Sequence, residues 1–568
     1  MLDIIEAGAV NAMRPFGYYA AQATATLRQQ DDGSWRTEIA VQPGPPIVID
    51  ALLLEISGEG AGSPDLRAWE TRWPLHRGEV LNQVAWDAQL AQLRDLLEAD
   101  GYFNATFVQQ RIELYASELR ADLFLEVQTG PRSVFGEVVF DQDFLAPYVL
   151  APVPRFRSGE PYAQWQVDQL RTDLWKLGFF GAVNVSEERS SGASPPTVDL
   201  RVEVTPGKRN THQGTLGYGT DTEWRAQYRW QRHLLSERGD SLSLGTSWQK
   251  RTRKLLITGE YRLPRRARRQ EYWLFSPTLA QEDQLFELDI DGQDEKLPVA
   301  EGRLDEAFAR LGRVRLRNPR DSREQLIETV FLQFVSEDNE FAELSDLDRS
   351  TLRNSTPLIP GGRVNSLALG IEWDLPVLTG RGFDLSGHRQ RASLFTSSSR
   401  WGSDVSYSQI YLSSRWNLRL NDDWRLLLRG EAAYSDAEVR ELTFEREGLQ
   451  VEVSLTELPV RYRFKAGGGF SVRGYGYESL SNNGLGSNHL LTGSVELERR
   501  LVGDWSVSTF FDTGNAFNDW SQPGLRKGAG LGVRWYALGF PLRLDVASAL
   551  DLPGNPWRLH LTLGTTLF

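Results

Sequence analysis

The segment "GGGFSVRGYGYESL", residues 467–480, is the most specific string in the chain. It places Arg473 between small and aromatic residues in a glycine-rich, turn-forming stretch. Two interpretations are open: an exposed flexible loop, or a loop that folds back and delivers a guanidinium group to a fixed acceptor. A buried acceptor should be a carboxylate, because an unpaired buried charge is costly. Asp512, in the predicted strand one hairpin onward, meets that need.

The stretch "FFDTGNAF", residues 510–517, contains Asp512-Thr513-Gly514, which is also the way aspartic proteases present a catalytic carboxylate. That chemistry uses two carboxylates sharing a proton, and no second D-[ST]-G occurs in the chain. The glycines of "GAGLG", residues 528–532, lack the context and third spaced glycine of a dinucleotide site. The sequence therefore predicts no enzyme. We expect Asp512 to accept Arg473, Thr513 to face the opposite side, and Gly514 to let the loop approach closely.

From about residue 212 onward the sequence alternates between apolar and polar residues, as in "DSLSLGTSWQ" (240–249) and "SQIYLSSRWNLRL" (408–420). A soluble sandwich and a membrane barrel both give this alternation. The barrel is favoured because the strands are about ten residues long, as tilted spanning strands require. Trp and Tyr also lie near strand ends, as in interfacial girdles. At about 22 residues for each strand and connection, the sequence predicts a transmembrane antiparallel β-barrel of about 16 strands.

A closed barrel must pair its first and last strands, predicted here at residues 212–220 and 557–568. Glycines weaken strand pairing and packing. A candidate lateral gate between these strands is therefore formed by Gly214, Gly217, Gly219, Gly564 and the terminal Phe568. The alternative is that these are ordinary glycines of barrel strands.

Three repeats precede the barrel. "PFGYYAA" recurs as "ADGYFNA" and "KLGFFGA", which places Gly17, Gly101 and Gly178 at a period of about 80 residues. Helix-period leucines lead into the second and third copies, where the glycine is in the position of a helix C-cap. The predicted domains are three α+β modules followed by the barrel: 1–46, 47–129, 130–208 and 209–568. The first module is short, so we expect roughly 35 residues, and any signal peptide before them, to be missing from this sequence.

Composition narrows the possible functions. The net charge of −13 argues against a nucleic-acid binder, which needs a basic face. The chain has no cysteine, and its 6 histidines form no H-E-x-x-H, so we expect no metal and no cofactor. No apolar run approaches the length of a transmembrane helix.

Two motifs and the repeats together resemble a known family. Val472-Arg473-Gly474-Tyr475, followed by Phe510-x-Asp512-x-Gly514, is similar to the paired loop and strand signature of the BamA/TamA insertase superfamily. The repeats resemble the POTRA modules of that superfamily. Three modules, the last leading straight into the barrel, most resemble its TamA type, the outer-membrane subunit of the translocation and assembly module.

The resemblance implies a Gram-negative outer-membrane protein with periplasmic POTRA modules and no enzymatic activity. It implies insertion or secretion of β-barrel and autotransporter clients with a TamB-like, inner-membrane-anchored periplasmic partner, and a link to phospholipid transport. The alternatives are a two-partner secretion transporter, expected to have two modules, and a BamA-type insertase, expected to have five. A passive porin or receptor barrel needs neither the modules nor the loop and strand pair.

Overall fold

The computed structural model describes residues 2–31, 33–190, 192, 194–266, 271–288, 297–317, 325–341, 362–446, 449–481, 484–536 and 542–563. The chain divides into two compact units. One comprises Met1–Asp143 and Val153–Pro206, and the other Phe144–Pro152 and Gly207–Phe568. Among the described residues, no helix combines the length and the apolar character needed to cross a bilayer.

The helices are α1 (Leu2–Met13), α2 (Pro64–Thr71), α3 (Gln83–Ala99), α4 (Pro147–Leu150) and α5 (Gln164–Lys176). The strands that precede the barrel are β1 (Gln22–Gln29), β2 (Trp35–Gln42), β3 (Val48–Ser57), β4 (Thr106–Tyr115), β5 (Arg120–Gln128), β6 (Val134–Asp141), β7 (Phe180–Ser190) and β8 (Thr197–Pro206). The later strands are β9 (Asn210–Gly219), β10 (Glu223–Arg232), β11 (Ser241–Gln249), β12 (Lys254–Arg266), β13 (Glu271–Leu288), β14 (Leu297–Arg317), β15 (Leu326–Phe341), β16 (Gly362–Thr379), β17 (Ser386–Ser397), β18 (Tyr407–Arg419), β19 (Trp424–Asp436), β20 (Val439–Arg446), β21 (Leu449–Thr456), β22 (His489–Arg500), β23 (Trp505–Phe517), β24 (Arg526–Trp535), β25 (Leu542–Ala549) and β26 (Trp557–Leu563).

The N-terminal region is built from small α+β sheets. The order β3-β5-β4 recurs as β6-β8-β7, and in each sheet the first strand runs parallel to the central one. Before them, α1 precedes the antiparallel pair β1–β2. The repeated glycines Gly17, Gly101 and Gly178 all have left-handed backbones, with φ of 87°, 86° and 73°. A side chain there would be strained, so glycine is the residue that lets the chain turn out of each helix.

The sheet β3-β5-β4 is covered by helices α2 and α3 through an aromatic and leucine core. Trp69 and Trp73 pack edge to face at 5.2 Å between ring centroids, and Trp73 and Trp86 do so at 5.7 Å. Leu93 of α3 is 0% exposed in this core. The leucine stripe seen in the sequence is therefore the face that α3 buries against the sheet.

We expect Leu93→Ala to destabilise this α+β sheet by about 2–5 kcal/mol, since it leaves a cavity in a close-packed core. Hydrogen exchange of the α3 amides in the intact protein measures the loss. Val84→Ala, on the same helix but 52% exposed, should change exchange little and is the matched control. Equal exchange in the two variants would contradict the assigned core.

The second unit contains a closed barrel of sixteen antiparallel strands, β9–β19 and β22–β26, which confirms the predicted fold class. Its side chains alternate as expected. On β23, Phe510 and Asp512 are buried on the inner side, while Phe511 between them is 44% exposed on the outer side. Large apolar residues are exposed on the outside of many strands, including Leu244, Ile257, Leu279, Leu412, Val495, Leu531 and Leu559.

One segment groups differently from the sequence-based division. Residues Phe144–Pro152, which include α4, fall within the predicted third module but belong to the compact unit of the barrel. The backbone N–H of Ala146 donates to the carbonyl of Glu237, in the turn after β10, at 2.8 Å. The domain boundaries drawn from the repeats stay predictions.

Candidate functional site

The connection between β19 and β22 carries the candidate site. It contains the β20–β21 hairpin and then returns into the barrel. Its motif residues Val472 and Tyr475 are buried against Ala549 of β25. The residues Gly467–Leu480, called the lumen loop below, therefore pack on the inner wall of the barrel.

Arg473 binds Asp512 through a bidentate contact. The guanidinium Nε donates to Asp512 Oδ2 at 2.7 Å, and Nη2 donates to Oδ1 at 2.9 Å. The Arg473 backbone N–H also donates to Oδ2 at 3.0 Å. Asp512 is 0% exposed and Arg473 is 3% exposed. Charge-assisted forks of this kind combine strength with strict geometry, so the strand fixes the position of the loop.

Further charges extend the contact into a network. Arg473 Nη1 donates to Glu496 on β22 at 2.8 Å, and Arg534 on β24 donates to the other oxygen of Glu496 at 2.8 Å. Arg534 also pairs with Asp545 on β25 at 2.6 Å. Two guanidinium groups thus alternate with three carboxylates across four adjacent strands. Each buried charge has an opposite neighbour, which is the condition for burying it.

The surroundings of Arg473 keep its guanidinium group charged, and both carboxylate oxygens of Asp512 are engaged in hydrogen bonds. The Arg473 guanidinium carbon lies 3.3 Å from the ring centroid of Phe510, a cation–π contact. Burial alone would lower the pKa of Arg473, but the hydrogen bond and charge of Asp512 outweigh it and raise that pKa above its ordinary value. Both carboxylate oxygens of Asp512 accept hydrogen bonds from Arg473. Asp512 therefore has no oxygen exposed to activate a water, as protease chemistry would require.

Two glycines let the loop lie against the wall. A Cβ at Gly528 of β24 would stand 1.9 Å from the carbonyl oxygen of Arg473. Gly474 has φ of 97°, and its Cβ would stand 2.8 Å from the Ser548 carbonyl carbon. Neither position can carry a side chain without moving the loop.

The expectation that Gly514 lets the loop approach stays a prediction, and the atoms nearest to it belong to another strand. A Cβ there would meet the Leu491 carbonyl oxygen at 2.5 Å and the Thr492 Cα at 2.7 Å, both on the neighbouring strand β22. Gly514 therefore serves the packing of two strands, whereas Gly528 provides the close approach of the loop. Thr513, with its inward neighbours at 512 and 514, lies on the outer side of the strand, as expected.

The barrel closes between the first and last strands, as predicted. In the described part of this pairing, Gly219 lies opposite Thr562 and Tyr218 opposite Leu563. A Cβ at Gly217 would approach the Leu563 carbonyl oxygen to 3.1 Å, while one at Gly214 would meet nothing within 4 Å. The candidates Gly564 and Phe568 lie outside the described residues. The role of these glycines in a gate stays a prediction.

The segment leading to the lumen loop is tied to another part of the barrel wall. Glu337 on β15 accepts the backbone N–H groups of Val460 and Arg461, at 2.7 and 2.9 Å. The connection is thus fastened at β15 and again at β23. In the part of the chain that the structure describes, no group of three or more His, Asp or Glu side chains is placed to hold a metal ion.

Comparison with known proteins places this site in a family domain. Residues 382–567, which include the lumen loop and Asp512, match the Omp85 superfamily domain. The crystal structure of BamA from Haemophilus ducreyi lacking POTRA domains 1–3 is similar over 92% of this chain and 100% of that chain, with a TM-score of 0.69 and 18% identity. At that identity the likeness concerns the fold.

Two further solved structures are more distant. CdiB from Acinetobacter baumannii matches over 91% of this chain and 90% of its own, with 14% identity and a TM-score of 0.49. CdiB from Escherichia coli matches over 92% and 91%, with 14% identity and a TM-score of 0.47. The barrel that holds the lumen loop therefore shares its fold with the BamA structure, and its residues 382–567 match the Omp85 superfamily domain.

Proposed function

We propose that this protein is an outer-membrane assembly factor of the TamA type, which inserts or secretes β-barrel and autotransporter clients. In this proposal the α+β modules are POTRA domains in the periplasm, where they bind a TamB-like partner. The protein acts by binding and positioning client strands, and phospholipid transport is a secondary consequence of the same partnership.

The outer surface of the barrel supports a place in a bilayer. Apolar side chains such as Leu279 and Leu531 are 58% and 67% exposed on it. In water this surface would be a large unfavourable patch. In lipid it is the expected outer band of a barrel, whose closure also leaves no unpaired strand edge.

The single observation that carries the proposal is the docked lumen loop within the Omp85-matched residues. A passive pore needs an unobstructed channel. Here a connection between two strands re-enters the barrel and is fastened to the wall by buried ion pairs, first of all Arg473 with Asp512. Opening of the β9–β26 closure would expose two strand edges, to which client strands add by β-augmentation.

The test is a reconstituted folding assay with the full chain in liposomes. An unfolded autotransporter β-domain is added, and its folding is followed by heat-modifiable gel mobility. We expect folding to accelerate at least about 10-fold over empty liposomes, because a templated edge removes part of the cost of starting a sheet. A TamB-like protein added in purified form should bind the same liposomes.

The matched control is a 16-stranded porin at the same density in the same lipid. No acceleration over that control would overturn the assembly function. Acceleration without binding of the TamB-like protein would instead support a BamA-type insertase and reject the TamA type.

A further inference from the structure

A second cluster of polar side chains lies at the β9–β26 closure. His560 on β26 is 2% exposed, and its Nδ1 lies 3.3 Å from both carboxylate oxygens of Asp221. Asp221 belongs to the turn between β9 and β10. In the same place Thr220 and Leu561 exchange two hydrogen bonds, of 3.1 and 3.2 Å. The side-chain pair therefore bridges the last strand and the first hairpin.

The lumen loop binds both members of this pair. The backbone N–H of Gly474 donates to His560 Nε2 at 3.1 Å. The backbone N–H of Gly469 donates to Asp221 Oδ2 at 2.5 Å. One loop thus contacts both sides of the barrel closure through the main-chain N–H groups of Gly469 and Gly474, in a stretch already anchored by Arg473.

These contacts assign the state of the imidazole. Because Nε2 accepts the Gly474 N–H, it carries no proton, and the proton of neutral His560 lies on Nδ1, facing Asp221. Burial alone would raise the pKa of Asp221, but hydrogen bonds from His560 and Gly469 outweigh it and hold that pKa below its ordinary value. Gly474 therefore donates a hydrogen bond to His560, and His560 donates one to the ionised Asp221. The two hydrogen bonds run in the same direction.

Glycines make room for this arrangement. A Cβ at Gly468 would lie 3.0 Å from Asp221 Oδ2, and one at Gly469 would lie 3.1 Å from the same oxygen. At Gly468 the backbone is also left-handed, with φ of 94°. The run of three glycines at 467–469 therefore lets the loop backbone rest on the carboxylate.

We infer that Asp221 and His560 are positioning residues that couple the lumen loop to the β9–β26 closure, so that the closure does not open unless the loop lets go of it. The coupling is reciprocal: holding the closure shut must hold the loop down. The inference rests on the proposed function only for the biological role of this coupling. The opening of the barrel itself can be measured without a client.

The test uses a disulfide across the closure. The chain has no cysteine, so Tyr218→Cys with Leu563→Cys, which lie opposite each other, can form only one bond. Hydrogen exchange of the Arg473 amide, which is bonded to Asp512, reports loop release. With His560 present, the oxidised pair should slow this exchange about 10-fold relative to the reduced pair, within the usual range of coupling energies. In His560→Ala, oxidation should change it less than about 2-fold.

Two further variants keep the test decisive. His560→Gln keeps an acceptor for Gly474 but loses the rigid ring that holds a donor against Asp221 at the same time, so we expect oxidation again to have little effect even if the alanine variant folds poorly. His212→Ala, at an exposed histidine on β9, should retain the full 10-fold effect. Slowing that persists in the His560 variants, or no slowing in the parent, would overturn the coupling. Because no client is present, neither result bears on client assembly.

Discussion

Arg473→Ala is expected to release the lumen loop while the barrel stays folded. The substitution leaves Asp512 fully buried with one remaining side-chain hydrogen bond, from Ser494 at 2.6 Å. Removing one partner of a buried ion pair typically costs about 3–5 kcal/mol. The response with the lowest free-energy cost is for the loop to leave the barrel wall, so that water reaches the carboxylate of Asp512. Away from the β9–β26 closure, the strands of the barrel pair with one another and not with the loop.

A buried reporter measures the release. In the cysteine-free chain, Val472→Cys places one thiol at a 0% exposed position of the loop. Its reaction with a maleimide should accelerate at least about 100-fold in Arg473→Ala, the factor that corresponds to about 3 kcal/mol. Heat-modifiable gel mobility should show the barrel unchanged, and assisted folding of an autotransporter client should fall towards the level of empty liposomes.

Three other variants test the physical reason. Asp512→Asn should release the loop less than Arg473→Ala, because Arg473 keeps its bond to Glu496. Arg473→Lys keeps the charge but not the fork, so we expect a release between these two. Arg400→Ala, in an exposed turn, is the control and should leave labelling unchanged. Labelling of Arg473→Ala at the parental rate would refute the proposed lock.

The alternation of the sequence was enough to predict which side of a strand faces inward. Because the side-chain period of a strand is two, Asp512 and Phe510 had to share one face and Thr513 the other. Three repeats with matching glycines likewise predicted the α+β sheets. Alternation is a local signal within one strand, and the repeats are read by comparing one stretch of the chain with another, so neither signal requires knowledge of which strands pair.

Register between strands could not be predicted, and it decides the partners of the lock. Ser494 and Gly528 both lie directly opposite Asp512, one on each neighbouring strand. A shift of two residues would keep every side chain on its face and change all of these pairs. The roles of Glu496, Arg534 and Gly528 were therefore missed, although each has the inward position that alternation assigns.

The contact between Asp221 and His560 could not be predicted from the sequence for a related reason. The two residues are 339 positions apart and meet only because the barrel closes. In the sequence of the last strand His560 alternates with Leu559 and Leu561, which gives it the inward position and is the one available signal. A lone inward histidine is common, so nothing in the sequence pointed to its partner.

Gly528→Ala is expected to displace the lumen loop without removing any charge, although less strongly than loss of Arg473 does. The added methyl group would stand 1.9 Å from the Arg473 carbonyl oxygen and 3.1 Å from its carbonyl carbon. Backbone atoms cannot rotate away as a flexible side chain can. Overpacking a well-packed site costs about 1–3 kcal/mol, so either Arg473 leaves Asp512 or β24 shifts within the sheet.

Thiol labelling at Val472→Cys distinguishes the two responses. We expect labelling to accelerate about 10–100-fold in Gly528→Ala, in proportion to that cost, with the barrel mobility on gels unchanged. Gly493→Ala is the matched control: it adds the same methyl group to β22, two strands away from Gly528, where the nearest atom is Thr513 Cγ2 at 3.9 Å. Slow labelling in both variants would show that β24 yields instead of the loop. In that case Gly528 is required by the packing of the sheet and not by the close approach of Arg473 to β24.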